Sequence, residues 1–259
     1  MNENASEPTS SSPPPTGTNA VSAHISRNKI NFGLWCTRLA TIIFTLNYLV
    51  PIFGYSHSMY SKALIANAAT SALRLHQRLP RVQLSQEFFK ILFTEDSAHY
   101  LLYSLVFIYA APITWVLLPI FLFALLHISS YSLELIELLG PNALTFVRKG
   151  IELVEVQSAN LLRVIAFTEI FLFPLLIISL FSGRATLMTV FVYHRFVCLR
   201  YASRRNPYSR NTFAELRVVA ETYAQKPQCP EAVRNIVFKV IAGISQLAPP
   251  VFPPPQSQQ

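Results

Sequence analysis

Charge is what this chain has least of. Asp, Glu, Lys and Arg make up 13 % of its 259 residues, where soluble domains carry about a quarter. The shortage is concentrated: residues 97–133 contain none of the four, and a soluble core has no use for so long an uncharged run. A water-soluble globular fold is thereby excluded. Glycine is scarce too, at seven residues, and no glycine-rich loop that could cradle a phosphate is present. The three cysteines, Cys36, Cys198 and Cys229, are odd in number and far apart, so they make neither a disulfide framework nor a metal-ligand set. The six histidines fall in no HExxH pattern, and no serine or carboxylate sits in a nucleophile elbow or a paired-acid arrangement. The chain reads as a non-enzyme with no cofactor and no metal.

What is abundant is apolar sequence, gathered in blocks at 34–53, 98–128, 164–181 and 185–199. A bilayer core takes roughly 20 apolar helical residues to cross. Within hydrocarbon the backbone must satisfy its own hydrogen bonds, so the blocks are helices. The expected fold is therefore all-α: a multi-pass membrane protein with about three spans, plus interfacial or re-entrant helices and amphipathic cytosolic helices. Residues 1–31 read as a disordered polar tail without the apolar core of a secretory signal. Residues 32–200 read as the helical membrane domain, 201–248 as a basic cytosolic helical region, and 249–259 as a disordered Pro/Gln-rich tail.

Block 98–128 would be roughly 46 Å long as one helix, too long for a single perpendicular crossing. Pro112 and Pro119 interrupt its hydrogen-bond ladder. Two readings remain: a single kinked and tilted span, which is favoured, and a hairpin turning near residues 110–112 with arms too short to cross fully. Block 185–199 is short for a span and reads as interfacial or re-entrant. Between the first two blocks lie a helix over 58–79, stopped by Pro80, and a shorter one running to about Phe93 with Ser85 as its N-cap. Thr212 and Glu215 resemble a capping box opening a helix to about Ala224. A last helix runs from Glu231 to about Ala248.

Net charge is +8. In a chain with membrane spans, anionic headgroups are the expected partner of that charge, and nucleic acid is not. Arg195, Arg200, Arg204, Arg205 and Arg210 follow apolar sequence directly and read as a headgroup-facing juxtamembrane cluster. Segments 54–97, 128–163 and 184–259 carry five, three and ten Lys and Arg. With three crossings, this bias places 54–97 and the C-terminus in the cytosol, and the N-terminus and 128–163 in the lumen. Asn4 opens an Asn-Ala-Ser glycosylation pattern that is usable on the lumenal side. In the last helix Val233, Ile236, Val237, Val240, Ile241, Ile244 and Leu247 recur at three- and four-residue spacing. That apolar stripe either inserts into membrane or packs on the protein's own helices. Arg38 and Glu169 are the charges inside the first and third apolar blocks. They read as a structural pair or as the lining of a channel or transporter path.

Several strings are distinctive as sequence: ALIANAATSALRLHQRLP (63–80), EDSAHYLLYSL (95–105), TEIFLFP (168–174), FVYHRFVCLRYASRRNPYSR (191–210) and KPQCPEAVR (226–234). Over roughly residues 32–249 the chain resembles the transmembrane protein 33 family, also called the Krüppel-homolog two or pore-membrane-protein family. The resemblance implies residence in the endoplasmic reticulum membrane and nuclear envelope, with about three spans. It implies association with reticulon-type membrane-shaping proteins and tubular reticulum organisation, a part in nuclear pore assembly, and in some members stress signalling. It also implies that the helix at 233–247 binds curved membrane. It implies no catalysis.

Overall fold

The computed structural model describes residues 17–51, 56–79, 85–140, 144–203 and 206–247. They form eleven α-helices, with no strand among the described residues. The helices are α1 Thr18–Arg27, α2 Lys29–Leu49, α3 Ser56–Arg78, α4 Gln86–Thr94, α5 Asp96–Ile108, α6 Thr114–Leu139, α7 Thr145–Val156, α8 Ser158–Phe181, α9 Leu187–Ala202, α10 Tyr208–Ala224 and α11 Glu231–Leu247.

Side-chain pairs fix the packing directions. Gln77 donates to Asn31 at 3.2 Å and Thr70 to Thr37 at 2.8 Å, so α3 runs antiparallel to α2. Asn67 donates to Ser104 and Arg78 to Glu95, which reverses α5 against α3. Trp35 donates to Ser132 and Tyr48 meets Thr114, which reverses α6 against α2. Glu169 meets Arg200 and the Phe173 ring meets His194, which sets α9 antiparallel to α8, and rings of α9 do the same against α5. Three hairpins result: α2–α3, α5–α6 and α8–α9. The end of α2, the start of α3 and the turns at 109–113 and 182–186 share one end. The bases, with the starts of α2 and α10, share the other.

Block 98–128 is therefore not a kinked span. The chain stops at Tyr109 and reverses. Proline at 112 pushes the residue before it out of helical geometry, and Ile113 is extended before α6 begins. After the reversal Tyr100 stacks edge-on to Phe123 at 4.9 Å, and the Tyr103 hydroxyl donates to the Val116 carbonyl at 2.8 Å. Nor are both arms short, because α6 continues to Leu139. Pro119 lies inside α6 without ending it. It falls in the second turn, where only one ladder bond is lost. Among the described residues α6 and α8 alone are long and apolar enough to cross a membrane by length and composition. Helix α9 packs on α5 and α8, with Tyr193 and Phe196 buried.

The core is aromatic. Tyr60, Tyr103, Phe107, Tyr193 and Phe196 are all essentially inaccessible and meet Leu117, Ile120, Leu172 and Leu176. Rings suit a packed helical interior because they fill it in specific tilted and edge-on pairs. Outside this core Ile43, Leu46 and Leu49 of α2 and Phe167, Phe171, Ile178 and Phe181 of α8 are exposed, an apolar jacket suited to lipid.

Two further expectations are corrected. Residues 17–31 are not a tail: α1 docks on α6, with the Gly17 N–H donating to the Leu138 carbonyl at 2.8 Å and His24 beside Glu134 and Tyr131. Helix α10 begins at Tyr208, one turn before the proposed capping box, and Thr212 is buried inside it. The N-cap at Ser85 is present, its hydroxyl accepting from the Phe88 N–H at 3.2 Å.

The reversal predicts a cross-link. Cysteines at Tyr103 and Val116 should be joined by a bifunctional thiol reagent of ~10 Å reach, whereas one continuous helix would hold them roughly 20 Å apart. Gel mobility of the full chain reads the result.

Candidate functional site

Where α5, α8, α9 and α10 converge, the apolar core gives way to an ion network. Glu169 and Arg200 are each 1 % exposed. The Arg200 Nε–H lies between both carboxylate oxygens, 3.0 Å from Oε1 and 3.1 Å from Oε2. Tyr100 donates its hydroxyl proton to Oε1, and Ser209 donates to Oε2 at 3.1 Å. Arg200 also reaches Asp96 through Nη1 at 3.1 Å, and Asp96 accepts from Ser203 at 2.8 Å. The guanidinium sits over the rings of Tyr100 and Phe123, which attract a cation from their faces. His99 donates from Nε2 to the Phe93 carbonyl at 2.7 Å, with Nδ1 turned toward Asp96.

The local sequence places these groups. Glu95 and Asp96 open α5, where carboxylates suit the positive end of the helix dipole. Glu169 faces inward midway along α8, and Arg200 closes α9, where a cation suits the negative end. The turn after α9 folds over the network: Ser203 accepts from the Asn206 N–H at 3.3 Å while donating to Asp96. A carboxylate holding three donors, one of them a guanidinium N–H shared between its two oxygens, is chemically quiet. It is neutralised and satisfied, and it orients no nucleophile.

This arrangement corrects two expectations. Glu169 does not pair with Arg38; its partner is Arg200, from the set expected to face headgroups. Arg200 points inward because a buried carboxylate lies within its reach there, and its Nε–H is shared between both oxygens of that carboxylate. Of the other arginines in that set, Arg195 is exposed above the Phe191 ring and Arg210 is half-buried. Arg204 and Arg205 lie outside the described residues, as does Asn4. Arg38 sits elsewhere, between α2, α3 and α6, with no ion pair or hydrogen bond among the described residues. That separation removes the paired-charge basis for a transport path.

Helix α11 is held differently. Among the described residues its main packing partner is α10, and Arg234 Nε donates to the Ala224 carbonyl at 3.0 Å. Val233, Ile236, Val240 and Ile244 are exposed, and Val237 and Ile241 half-buried; Leu247 ends the helix. The stripe does not pack on the bundle. Sequence reading missed a companion, α7, which exposes Phe146, Val147, Leu153 and Val156. Its charges, Arg148, Lys149, Glu152 and Glu155, masked the apolar positions between them.

Charge is polarised along the bundle. Among the described residues, Lys62 and Arg184 are the Lys and Arg near the hairpin turns. Arg195 is midway along α9, and the rest lie toward the bases or beyond. The N-terminal part of α2 and segment 144–157 share the basic end with α4, α10 and α11. This differs from the alternation that three crossings required. No group of three His, Cys, Asp or Glu able to hold a metal occurs among the described residues, and all three cysteines are free.

Removing one member of the buried pair should be costly. Glu169→Gln or Arg200→Met should each lower stability by about 3–5 kcal/mol by leaving its partner uncompensated. The double variant should lose less than the sum of the two, read as thermal midpoints of the detergent-solubilised chain.

The profile of the family described as Transmembrane protein 33/Nucleoporin POM33 matches residues 13–250, reaching further toward the N-terminus than the strings noted above. Mouse Transmembrane protein 33 is 45 % identical over 239 residues, covering 92 % of this chain and 96 % of that protein. Krueppel homolog 2 of Drosophila melanogaster is 46 % identical over 230 residues, covering 89 % and 83 %. The Caenorhabditis elegans homolog of Transmembrane protein 33 is 39 % identical over 236 residues, covering 90 % and 87 %. No solved structure matches. None of these names carries an enzymatic activity. An all-helical chain with apolar, membrane-length helices, matched almost end to end by these proteins, belongs to the Transmembrane protein 33/Nucleoporin POM33 family of membrane proteins.

Proposed function

We propose that this protein is a non-enzymatic membrane scaffold of the endoplasmic reticulum and nuclear envelope. Its bundle anchors it as a multi-pass protein, and α11 inserts shallowly into curved membrane on the cytosolic side. In that place it organises tubular reticulum with reticulon-type partners and supports nuclear pore assembly. The observation that carries this reading is the exposed apolar stripe of α11, next to basic residues and unclaimed by the bundle. A helix of that kind, polar on one face and anchored mainly by a neighbour, binds an interface rather than spanning it. The nucleoporin in the family description supports the nuclear envelope location. Exposed apolar residues along α8 and α2 supply a surface on which another membrane-embedded protein can pack.

The basic end faces the cytosol in this reading, following the excess of Lys and Arg there. Both the start of α2 and the region after α9 then lie in the cytosol, with an even number of crossings. The channel or transporter reading loses its paired charges, and no residue speaks specifically for stress signalling.

Two experiments test the proposal. A peptide of residues 226–250 should float with small anionic liposomes better than with large ones. Ile236→Asp with Ile241→Asp should weaken binding by roughly tenfold or more per residue, from the lost apolar burial. Recovery independent of liposome size or of these substitutions would sink the insertion claim. Separately, a glycosylation acceptor placed in turn 182–186 should be modified in microsomes, and one placed at 140–144 should not, nor should Asn4. The reverse pattern would invert the orientation.

A further inference from the structure

A cavity of about 250 Å³ lies between α2, α3, α5 and α6, bordering the ion network through Asp96 and Tyr100. Arg38, Arg74 and Arg78 line it, with Asn67 and Ser71 from the same face of α3. A smaller cavity of about 90 Å³, lined in part by Asn31 and Tyr131, lies on the other side of Arg38 and Arg74, which border both.

Two carboxylates are nearby. Asp96 lines the larger cavity, but Arg200 and Ser203 hold it. Glu95 takes Arg78 at 3.1 Å. Arg74 feels Arg78 and Glu95 together. Among the described residues the charge that acts most directly on Arg38 is Arg74, and the two repel. Arg38 is 7 % exposed and makes no ion pair or hydrogen bond among the described residues. Ser71 is buried without a hydrogen-bond partner there, and the Tyr131 hydroxyl is likewise buried and unpartnered.

A guanidinium keeps its proton under all ordinary conditions. A buried charge without counter-charge is strongly unfavourable. Elsewhere in this molecule such a charge is matched: Arg200 has two carboxylates. At Arg38 no counter-charge is paired among the described residues, and an open cavity bordered by Arg38, Arg74 and Arg78 stands in its place. Planar guanidinium forks select phosphate and carboxylate oxygens, and phosphate takes several such donors at once.

We propose that this cavity is an anion site for a phosphate group, with Arg38 and Arg74 as its principal ligands and Ser71 as a hydroxyl donor. Its volume admits a phosphate and not a whole lipid. The phosphate is therefore either the headgroup of an anionic phospholipid entering from the basic end or a free phosphate from the aqueous side. The site does not depend on α11 and stands or falls separately from the scaffold reading.

The test uses the full chain in detergent and in phosphatidylcholine nanodiscs. Inorganic phosphate is added against chloride at matched ionic strength. In a second arm the nanodiscs contain phosphatidic acid. Thermal unfolding midpoints are measured for the wild type, for Arg38→Gln and Arg74→Gln, and for Arg217→Gln as an exposed control. Phosphate or phosphatidic acid should raise the wild-type midpoint. Each cavity variant should weaken apparent affinity about tenfold or more, the loss of one charge-assisted hydrogen bond, and the control should respond like wild type. Arg38→Gln should also be the more stable protein in chloride alone, since it removes an unmatched charge. Stabilisation by phosphatidic acid alone identifies a lipid headgroup, and stabilisation by inorganic phosphate identifies a soluble ligand. No wild-type response in either arm, or equal responses in the cavity variants, overturns the site. Arg74→Gln, at a half-buried position, keeps the test valid if Arg38→Gln does not fold.

Discussion

The contact between Glu169 and Arg200 ties together, at the base of the aromatic core, parts of the chain that lie far apart in sequence. Glu169 comes from the middle of α8 and Arg200 from the end of α9. Through Tyr100 and Asp96 the network takes in α5, and through Ser209 it takes in α10. Neither charge could be buried without the other, because moving an isolated ion out of water costs far more than packing returns. The sequence separations are 31, 40 and 69 residues for the contacts of Glu169. The network therefore forms only when two hairpins have met. It closes the base of the aromatic core and sets where α9 ends and α10 begins.

The sequence announced most of the helices and little of their arrangement. Uncharged runs, prolines and caps placed α2, α3, α4, α8 and α11 within a few residues, because each signal is local. The partner of Glu169 was not legible, since Arg200 looks like any other member of an arginine-rich stretch. Its burial is decided by a carboxylate 31 positions away. The reversal after Tyr109 was visible only as an alternative, because a proline in a long apolar run kinks a helix in one context and ends it in another. Here the aromatic pairing of Tyr100 with Phe123 decides between them. Helix α1 was hidden by polar composition, and its order depends on docking against α6 rather than on its own propensity.

Two kinds of exposed apolar surface occur, and they differ in use. Along α2 and α8 the exposed side chains run the length of long helices and have the character of a lipid boundary. On α7 and α11 they lie on one face of short helices beside Arg and Lys, the pattern of an element lying in the headgroup plane. Arg38 contrasts with both, as a charge taken inside without a match. The molecule thus presents apolar surface outward and a patch of unmatched positive charge inward.

The hairpin architecture leaves α1, α4, α7, α10 and α11 at the basic end, while among the described residues only short turns stand at the other. On the scaffold reading proposed above, with these helices in the headgroup plane, such an outline would claim more lateral area from the leaflet at the basic end than from the opposite one. Lipids in the less occupied leaflet must then converge, and the sheet relaxes by bending away from the crowded side. A fixed asymmetry of cross-section would act without energy input and in proportion to local protein density, so shape would be a collective property of many copies rather than the work of one.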